Sequence, residues 1–505
     1  MMTLLPDFRS ALRRSVFASV SALALFVGGA ASATEVVVAI GAEPTTLDPQ
    51  AQDDGPERIV NDNIYETLYV RDATGTLSPG LAAELPKQID PLTWEIVLRD
   101  GINFHNGEPL DAKAVALSLN RIVDPALKSG QFSYVSTIKE AVAVDARTVR
   151  VTTEKPDPAL TARLYWLKIV PASYASDPNF AAHPIGTGPY KFVRWDRGEE
   201  VVLQANPDYW GNAAKVDDVT FRFIPDASTR LAGLLSGELD LITNVAPEFT
   251  AQLPKVAKIE GLELPYVLIN ARPGAPTSDV RVRQALLYAV NREELAEGLF
   301  EGNAKAATGQ LAVPAAFGFD ESIKAYPYDP EKAKALLKEA GAEGAVIEFV
   351  GPGGRFLKDR DTVEAVAAYW TAVGLKVNVR IPEWSDYLKT IFNPEARPDV
   401  YYSSSANELF DVDRAITAYY HPVSPGASNA DKELGEWIDA ARFETDVEKR
   451  KALYAKVLQR SRDEAYVNSL LNVQDIYGLS KRVEWTPRVD GKVFVKDITV
   501  SEGTE

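Results

Sequence analysis

Residues 186–210 read GTGPYKFVRWDRGEEVVLQANPDYW, a glycine-proline turn followed by two short apolar runs around a charged turn. Gly186 and Gly188 carry no Cβ, so the backbone there can take conformations barred to other residues or let another group approach closely. Pro189 fixes φ and removes an N–H donor, which stiffens the turn. Residues 191–195 and 200–205 are expected strands around Asp196-Arg197-Gly198-Glu199, so the turn is fastened to a hairpin. Alone the segment is an ordinary hairpin with a stiff entry. Its meaning comes from what lies on either side.

Upstream, EVVVAI at 35–40 is a β-branched run closed by Gly41, the pattern of a buried strand, and Glu43-Pro44-Thr45-Thr46-Leu47-Asp48-Pro49 leaves it as a rigid loop. Spacing at Ile59, Asn63, Tyr65 and Leu68 predicts a helix over 59–68. From Pro79 the pattern becomes strand-rich: alternation over 94–98, a short strand over 102–105 before the Asn106-Gly107 turn, and a strand over 148–153. One helix interrupts it, capped by Asp111, with Val115, Leu119 and Ile122 as its stripe. Downstream, 218–224 alternates, Asp226 caps a helix ended by Gly237, and 239–242 returns as a strand. Asn291 and Glu294 form a capping box. Helices beginning at Asp329-Pro330 and Asp361, closed by Gly341 and Gly374, then alternate with strands over 346–350 and 375–381. That alternation marks an α/β lobe. Two charged helices over 432–443 and 447–462 read as solvated, and strand-like pieces at Tyr477, Val493 and Ile498 finish the chain.

A chain of 505 residues exceeds one hydrophobic core, so two or three domains are expected. Apolar residues at 46% and charged ones at 25% are ordinary globular values, which argues against disorder. The net charge of -17 and the lack of a Lys/Arg stripe argue against a nucleic-acid partner. Residues 1–33 have the pattern of an export signal: Arg9, Arg13 and Arg14, an apolar stretch over 16–27, and Ala31-Ser32-Ala33 as an A-x-A cleavage site. The expectation is a mature start at Thr34 and a periplasmic protein. With no cysteine, neither disulfides nor a lipid attachment is expected.

Chemistry is conspicuous by its missing motifs. His105, His183 and His421 lie far apart without HExxH, and both methionines fall in the leader, so no metal site is expected. There is no GxSxG, no GxxxxGK and no complete GxGxxG; Ser136-Thr137-Ile138-Lys139 spells SxxK without its companion motifs. No catalytic residue, metal or cofactor is assigned, and the protein is expected not to be an enzyme.

Taken in order, EPTTLDP, IYETLY, TWEIVLRDGINFHNGEPLDAKAVALSLNR, the 186–210 stretch, GELDL, VRQALLYAVNREEL, YDPEKAKALLKEAG and GLKVNVRIPEW resemble the peptide, opine and nickel-binding family of solute-binding proteins that serve ABC importers. The resemblance covers nearly the whole mature chain. It implies an α/β fold, the two-lobed periplasmic binding protein fold with an extra strand-rich domain. Lobe I would combine 34–78, 186–270 and 476–505; the extra domain would be 79–185 and lobe II 271–475. It also implies a monomer that closes by a hinge over a small-molecule or peptide ligand and presents it to a cognate ABC permease. Peptide-binding members set an aspartate, within a Trp- and Gly-rich segment, against the peptide's amino terminus. The corresponding stretch here, 399–411, lacks that pattern. Peptide, opine-like conjugate and oligosaccharide therefore stay open as solutes, with a metallophore receptor or a periplasmic hydrolase as alternatives.

Expected ligand contacts follow from presentation. Arg355, after a strand and before a helix, could clamp a carboxylate or phosphate bidentately. Trp384 could stack on the solute. Tyr65 and Tyr402 would add hydroxyls from opposite lobes, and Glu43, Thr45 and Gly188 would line the first wall. Asn407 and Asp411, with Glu408 and Asp413, would meet polar or cationic groups.

Overall fold

A computed structural model describes residues 34–501, apart from Asp53, Glu383, Pro394 and Ala396; the expected export signal lies outside the described residues. Two mixed sheets organise the chain. In the larger, the strands run Lys255–Glu260, Leu471–Leu479, Leu241–Ile242, Glu35–Ile40, Asp218–Phe223, Glu200–Ala205 and Tyr190–Asp196, with Ala304–Ala306 added against Leu471–Leu479. The β-branched first strand lies parallel to both its neighbours, as a centrally placed apolar strand should. Its side chains Val36, Val38 and Ile40 pack with Val60, Ile64, Tyr190 and Phe221.

The second sheet runs Lys376–Arg380, Val346–Val350, Val400–Ala406, Glu263–Ile269 and Val467–Ser469. Helices Pro330–Glu339 and Asp359–Ala372 cover it, burying Leu336, Leu337, Val363, Val366 and Trp370 against Ile347 and Phe349. Asp329 caps the first of these through the Lys332 N–H, and Gly341 and Gly374 end the pair with φ of 66° and 101°. The strand Glu263–Ile269, read from sequence into lobe I, hydrogen-bonds here instead, so the passage between sheets comes at Gly261-Leu262 rather than after residue 270.

A third, antiparallel sheet runs Lys87–Asp90, Thr93–Val97, Thr148–Thr153 and Ile138–Ala143. Its one packed helix, Ala112–Val123, starts where the Asp111 carboxylate accepts from the Lys113 and Ala114 N–H groups. The helix stripe Val115, Leu119 and Ile122 lies on Ile96, Val149 and Val151.

Several local readings shift. The early helix is Gly55–Ile64, entered by Pro56 in its first turn, so Tyr65 is its C-cap and not its interior. Residues 102–105 make a single bridge, Asn103 to Pro109. The chain end folds as a short 3₁₀ turn, Val495–Asp497, and the strand Thr499–Val500. Gly186 and Gly188 do not have positive φ. They are required for close approach: a Cβ on either would stand 2.0 or 2.6 Å from the Ile64 carbonyl oxygen. The turn therefore seals the end of the Gly55–Ile64 helix, with the Gly188 N–H donating to Ile64 O at 2.9 Å.

Candidate functional site

Two strand passages join the larger sheet to the second. Outbound, Lys255–Glu260 continues through Gly261-Leu262 into Glu263–Ile269; inbound, Val467–Ser469 continues into Leu471–Leu479. The two are tied where the Gly261 N–H donates to Val473 O at 3.1 Å, and Asp475 pairs opposite Ile259. A Cβ at Gly261 would lie 2.7 Å from Asp475 Oδ2, so the glycine makes room for that carboxylate.

Glu263 and Asp475 thus meet at the crossing. Both retain some accessible surface while protein encloses them on nearly every side, the condition of groups lining an internal cleft. Burial, reinforced by the charge of Glu263, pushes the Asp475 carboxyl up to about 7. Burial likewise raises Glu263, against the Ser404 hydroxyl beside it and the positive charges of Arg355 and Arg58. Those arginines come from opposite sides: Arg58 from the helix under the larger sheet, Arg355 from the loop after Val346–Val350.

Arg58 also reaches the segment after Val400–Ala406. It lies 3.6 Å from Glu408, which is buried and also paired with Arg414, and its guanidinium stands over the Trp166 ring at 5.2 Å. Arg414 in turn covers Tyr134, 4.8 Å from the ring centre. Alongside opens a cavity of about 540 Å³ between Tyr134 and Arg163 on one side and Leu409, Arg414, Tyr419 and Arg442 on the other.

The sequence-derived contacts divide. Arg355 is exposed, its guanidinium over Phe356 and Trp384 at 5.1 and 5.5 Å, while Trp384 stacks on Tyr387 at 5.3 Å; these two share one rim of the site. Trp384 opens a helix, Trp384–Ile391. Tyr402 is buried beneath Glu263, and its hydroxyl has no hydrogen-bond partner among the described residues. Asn407 is buried, donating through Nδ2 to Asp411 O at 2.9 Å.

The remaining contacts are turned elsewhere. Asp411 is held by Arg450 at 2.7 Å and the Tyr454 hydroxyl at 2.9 Å, so it is a scaffold acid, and burial raises its pKa against the pull of Arg450. Asp413 is occupied by Arg163 at 3.0 Å. Tyr65 is a core ring, edge-on to Phe180 with its hydroxyl donating to Leu47 O, because a helix end and not a cleft surface presents it. Gly188 faces the helix end, as its contact with Ile64 requires. Thr45 donates through N–H and Oγ1 to Glu57, and Glu43 accepts from Trp195 Nε1 at 3.0 Å, so both brace their own wall.

Glu263, Asp475 and Arg58 were not singled out from sequence, although a visible signal existed. An acid inside the apolar run LLNVQDIYGL, and another opening ELPYVLI, are charges placed where strand burial disfavours them. Among the described residues no cluster of His, Cys, Asp and Glu suits a metal ion, and no helix is long and apolar enough to cross a membrane.

Residues 76–426 match the family described as bacterial extracellular solute-binding proteins, family 5, middle. The glutathione-binding protein GsiB of Escherichia coli O1:K1 / APEC is 35% identical over 345 residues, 66% of this chain and 66% of that protein, so the match spans just under two thirds of the relative's length. The periplasmic binding protein DppA of Helicobacter pylori, solved with the peptide STSA, superimposes with a TM-score of 0.76 at 25% identity, covering 93% of this chain and 99% of its own. AgaA of A. tumefacien R10, solved with agropinic acid, gives a TM-score of 0.76 at 26% identity with the same coverage of 93% and 99%.

Proposed function

Because this chain belongs to the bacterial extracellular solute-binding proteins of family 5, we propose that it is the periplasmic receptor of an ABC importer, taking a small charged, peptide-like solute between two lobes and passing it unchanged to a permease. In this reading lobe I comprises 34–78, 186–260 and 474–501, lobe II comprises 263–469, and 79–185 is a strand-rich insertion. Gly261-Leu262 and the segment around Leu470 are then the hinge.

The observation that carries the reading is the convergence of opposite charges at the crossing. Arg58 and Arg355 approach from opposite lobes, and Glu263 lies within reach of both. A solute bearing an acid and an amine would find a complement for each. A relative that binds glutathione and a neighbour solved with the peptide STSA support that solute class.

Bonds between the lobes hold a closed arrangement. Lys358 pairs with Glu248 at 3.2 Å, Arg58 with Glu408 at 3.6 Å, and Arg71 donates to Leu409 O at 3.0 Å. A solute contacting both lobes shifts this equilibrium only by its preference for the closed form, so affinity and closure are one free energy. The protein acts as a monomer, and its export and freedom from a lipid anchor belong to the same reading.

The test is a melting screen of purified protein with glutathione, STSA and maltotriose, followed by recovery of the stabilising solute. The expected result is a raised Tm with a peptide-like solute that is recovered intact. Cleaved solute would contradict the receptor role, and stabilisation by maltotriose alone would contradict the solute class.

A further inference from the structure

Most buried acids of this protein have a partner among the described residues, and several have a full counter-charge. Asp62 sits between Lys168 at 2.9 Å and Lys492 at 3.2 Å; Asp157 and Asp413 share Arg163; Asp490 pairs with Arg488 at 2.7 Å. Each has its counter-charge. Asp475 makes no hydrogen bond and no ion pair among the described residues, although protein surrounds it.

Space has nevertheless been left for that carboxylate. Gly261 passes under it, and Gly491 faces it with room for a Cβ 3.7 Å from Oδ2. Glu263, two residues beyond Gly261, has no ion pair within 4 Å among the described residues and shares its sheet face with Ser404 and Tyr402, which pair opposite Pro265 and Val267. Tyr402 lies close enough for its hydroxyl to feel the Glu263 charge, and that hydroxyl is buried beside the Thr362 side chain without a well-formed hydrogen bond. Acceptors thus gather at the crossing with no cation paired to Asp475 among the described residues.

Resting on the receptor reading above, we propose that Glu263 and Asp475 form the subsite for a cationic group of the solute, a primary ammonium or a guanidinium, so that the two hinge strands themselves read its charge. Arg58 and Arg355 flank Glu263 and leave it a partial counter-charge; around Asp475 the ionisable neighbours are Glu263 and, along its own strand face, Tyr477. Among the described residues no cation pairs with Asp475. Burial raises both empty acids above the usual carboxylate range, Asp475 to about 7, so an entering cation supplies a counter-charge that favours their ionised form, and protons are released to solvent. A cation lodged on both strands also joins the passages whose geometry sets the lobe angle.

The experiment is isothermal titration of wild type, Asp475→Asn and Glu263→Gln with glutathione, Ala-Ala and STSA, each with its N-acetylated counterpart, in phosphate and in Tris at pH 7. A free-amine probe is expected to bind wild type with a heat that differs between buffers through proton release. Acetylation and either substitution are expected to weaken binding tenfold or more, while the unliganded variants melt no lower than wild type. Equal binding of free and acetylated probes, or wild-type affinity in Asp475→Asn, overturns the subsite and leaves the receptor reading standing. Binding by none of the probes to folded wild type overturns the peptide-like reading and the subsite with it.

Discussion

Asp411 and Asp475 are both enclosed acids, and they are treated in opposite ways. Asp411 receives an arginine and a tyrosine hydroxyl, Arg450 and Tyr454, both from one helix. Asp475 receives nothing, and a glycine is spent to seat it. Enclosing a carboxylate without a partner is costly. A matched acid is therefore part of the scaffold, and an unmatched one at a crossing between lobes is set for a group that arrives from outside.

The contrast can be broken most forcefully at the matched site. Asp411→Ala strands Arg450 as an uncompensated buried charge, so unfolding stability in denaturant should fall by about 3–5 kcal/mol. A loss of solute affinity at unchanged stability would instead move Asp411 into the binding site.

Asp475→Asn should act in the opposite sense. The Asp475 carboxyl is held at about 7 when folded against a usual value of 3.8, so it contributes nothing unfavourable below pH 4, and stability declines as pH rises from there through 7. The amide removes that decline. Unliganded Asp475→Asn should match wild type at pH 4 and exceed it at pH 8 by about 2 kcal/mol, the scale of an unsatisfied buried polar group. Parallel pH profiles for the two proteins would contradict an uncompensated Asp475.

Smaller effects sharpen the comparison at the rim. Arg355→Ala should weaken a carboxylate-bearing solute about tenfold, or about 1.4 kcal/mol, with little change in the unliganded Tm, since its side chain is exposed and overlies Phe356 and Trp384. Unchanged affinity would take Arg355 out of the site. Glu248→Gln removes a half-exposed pair between the lobes and should alter affinity by less than about 1 kcal/mol. A larger loss would make that pair a latch rather than a rim contact.

What could be read from sequence was local. Asp111, Asp226, Asp329 and Asn291 announced their helices because a cap and the backbone N–H that donates to it lie within three residues. The stretch at 186–210 gave its hairpin correctly, but not the reason for its glycines, since Ile64 lies more than 120 residues earlier. The candidate site was less legible for the same reason. Arg355 and Trp384 could be placed from a strand-to-helix loop, whereas the meeting of Glu263 with Asp475 depends on strands paired across more than 200 residues. Asp411 misled because its partner Arg450 is on a distant helix that reads as a solvated one. Tyr65 misled because its helix starts four residues earlier than its apolar spacing suggests, which turns the ring into the core.

The solute, as proposed, carries its own cation into the crossing between lobes. Native mass spectrometry of the protein taken from periplasm, followed by denaturation and identification of whatever is released, tests this most directly. The expected result is one intact small molecule per chain bearing both an amine or guanidinium and an acidic group; a released solute without any cationic group would contradict it.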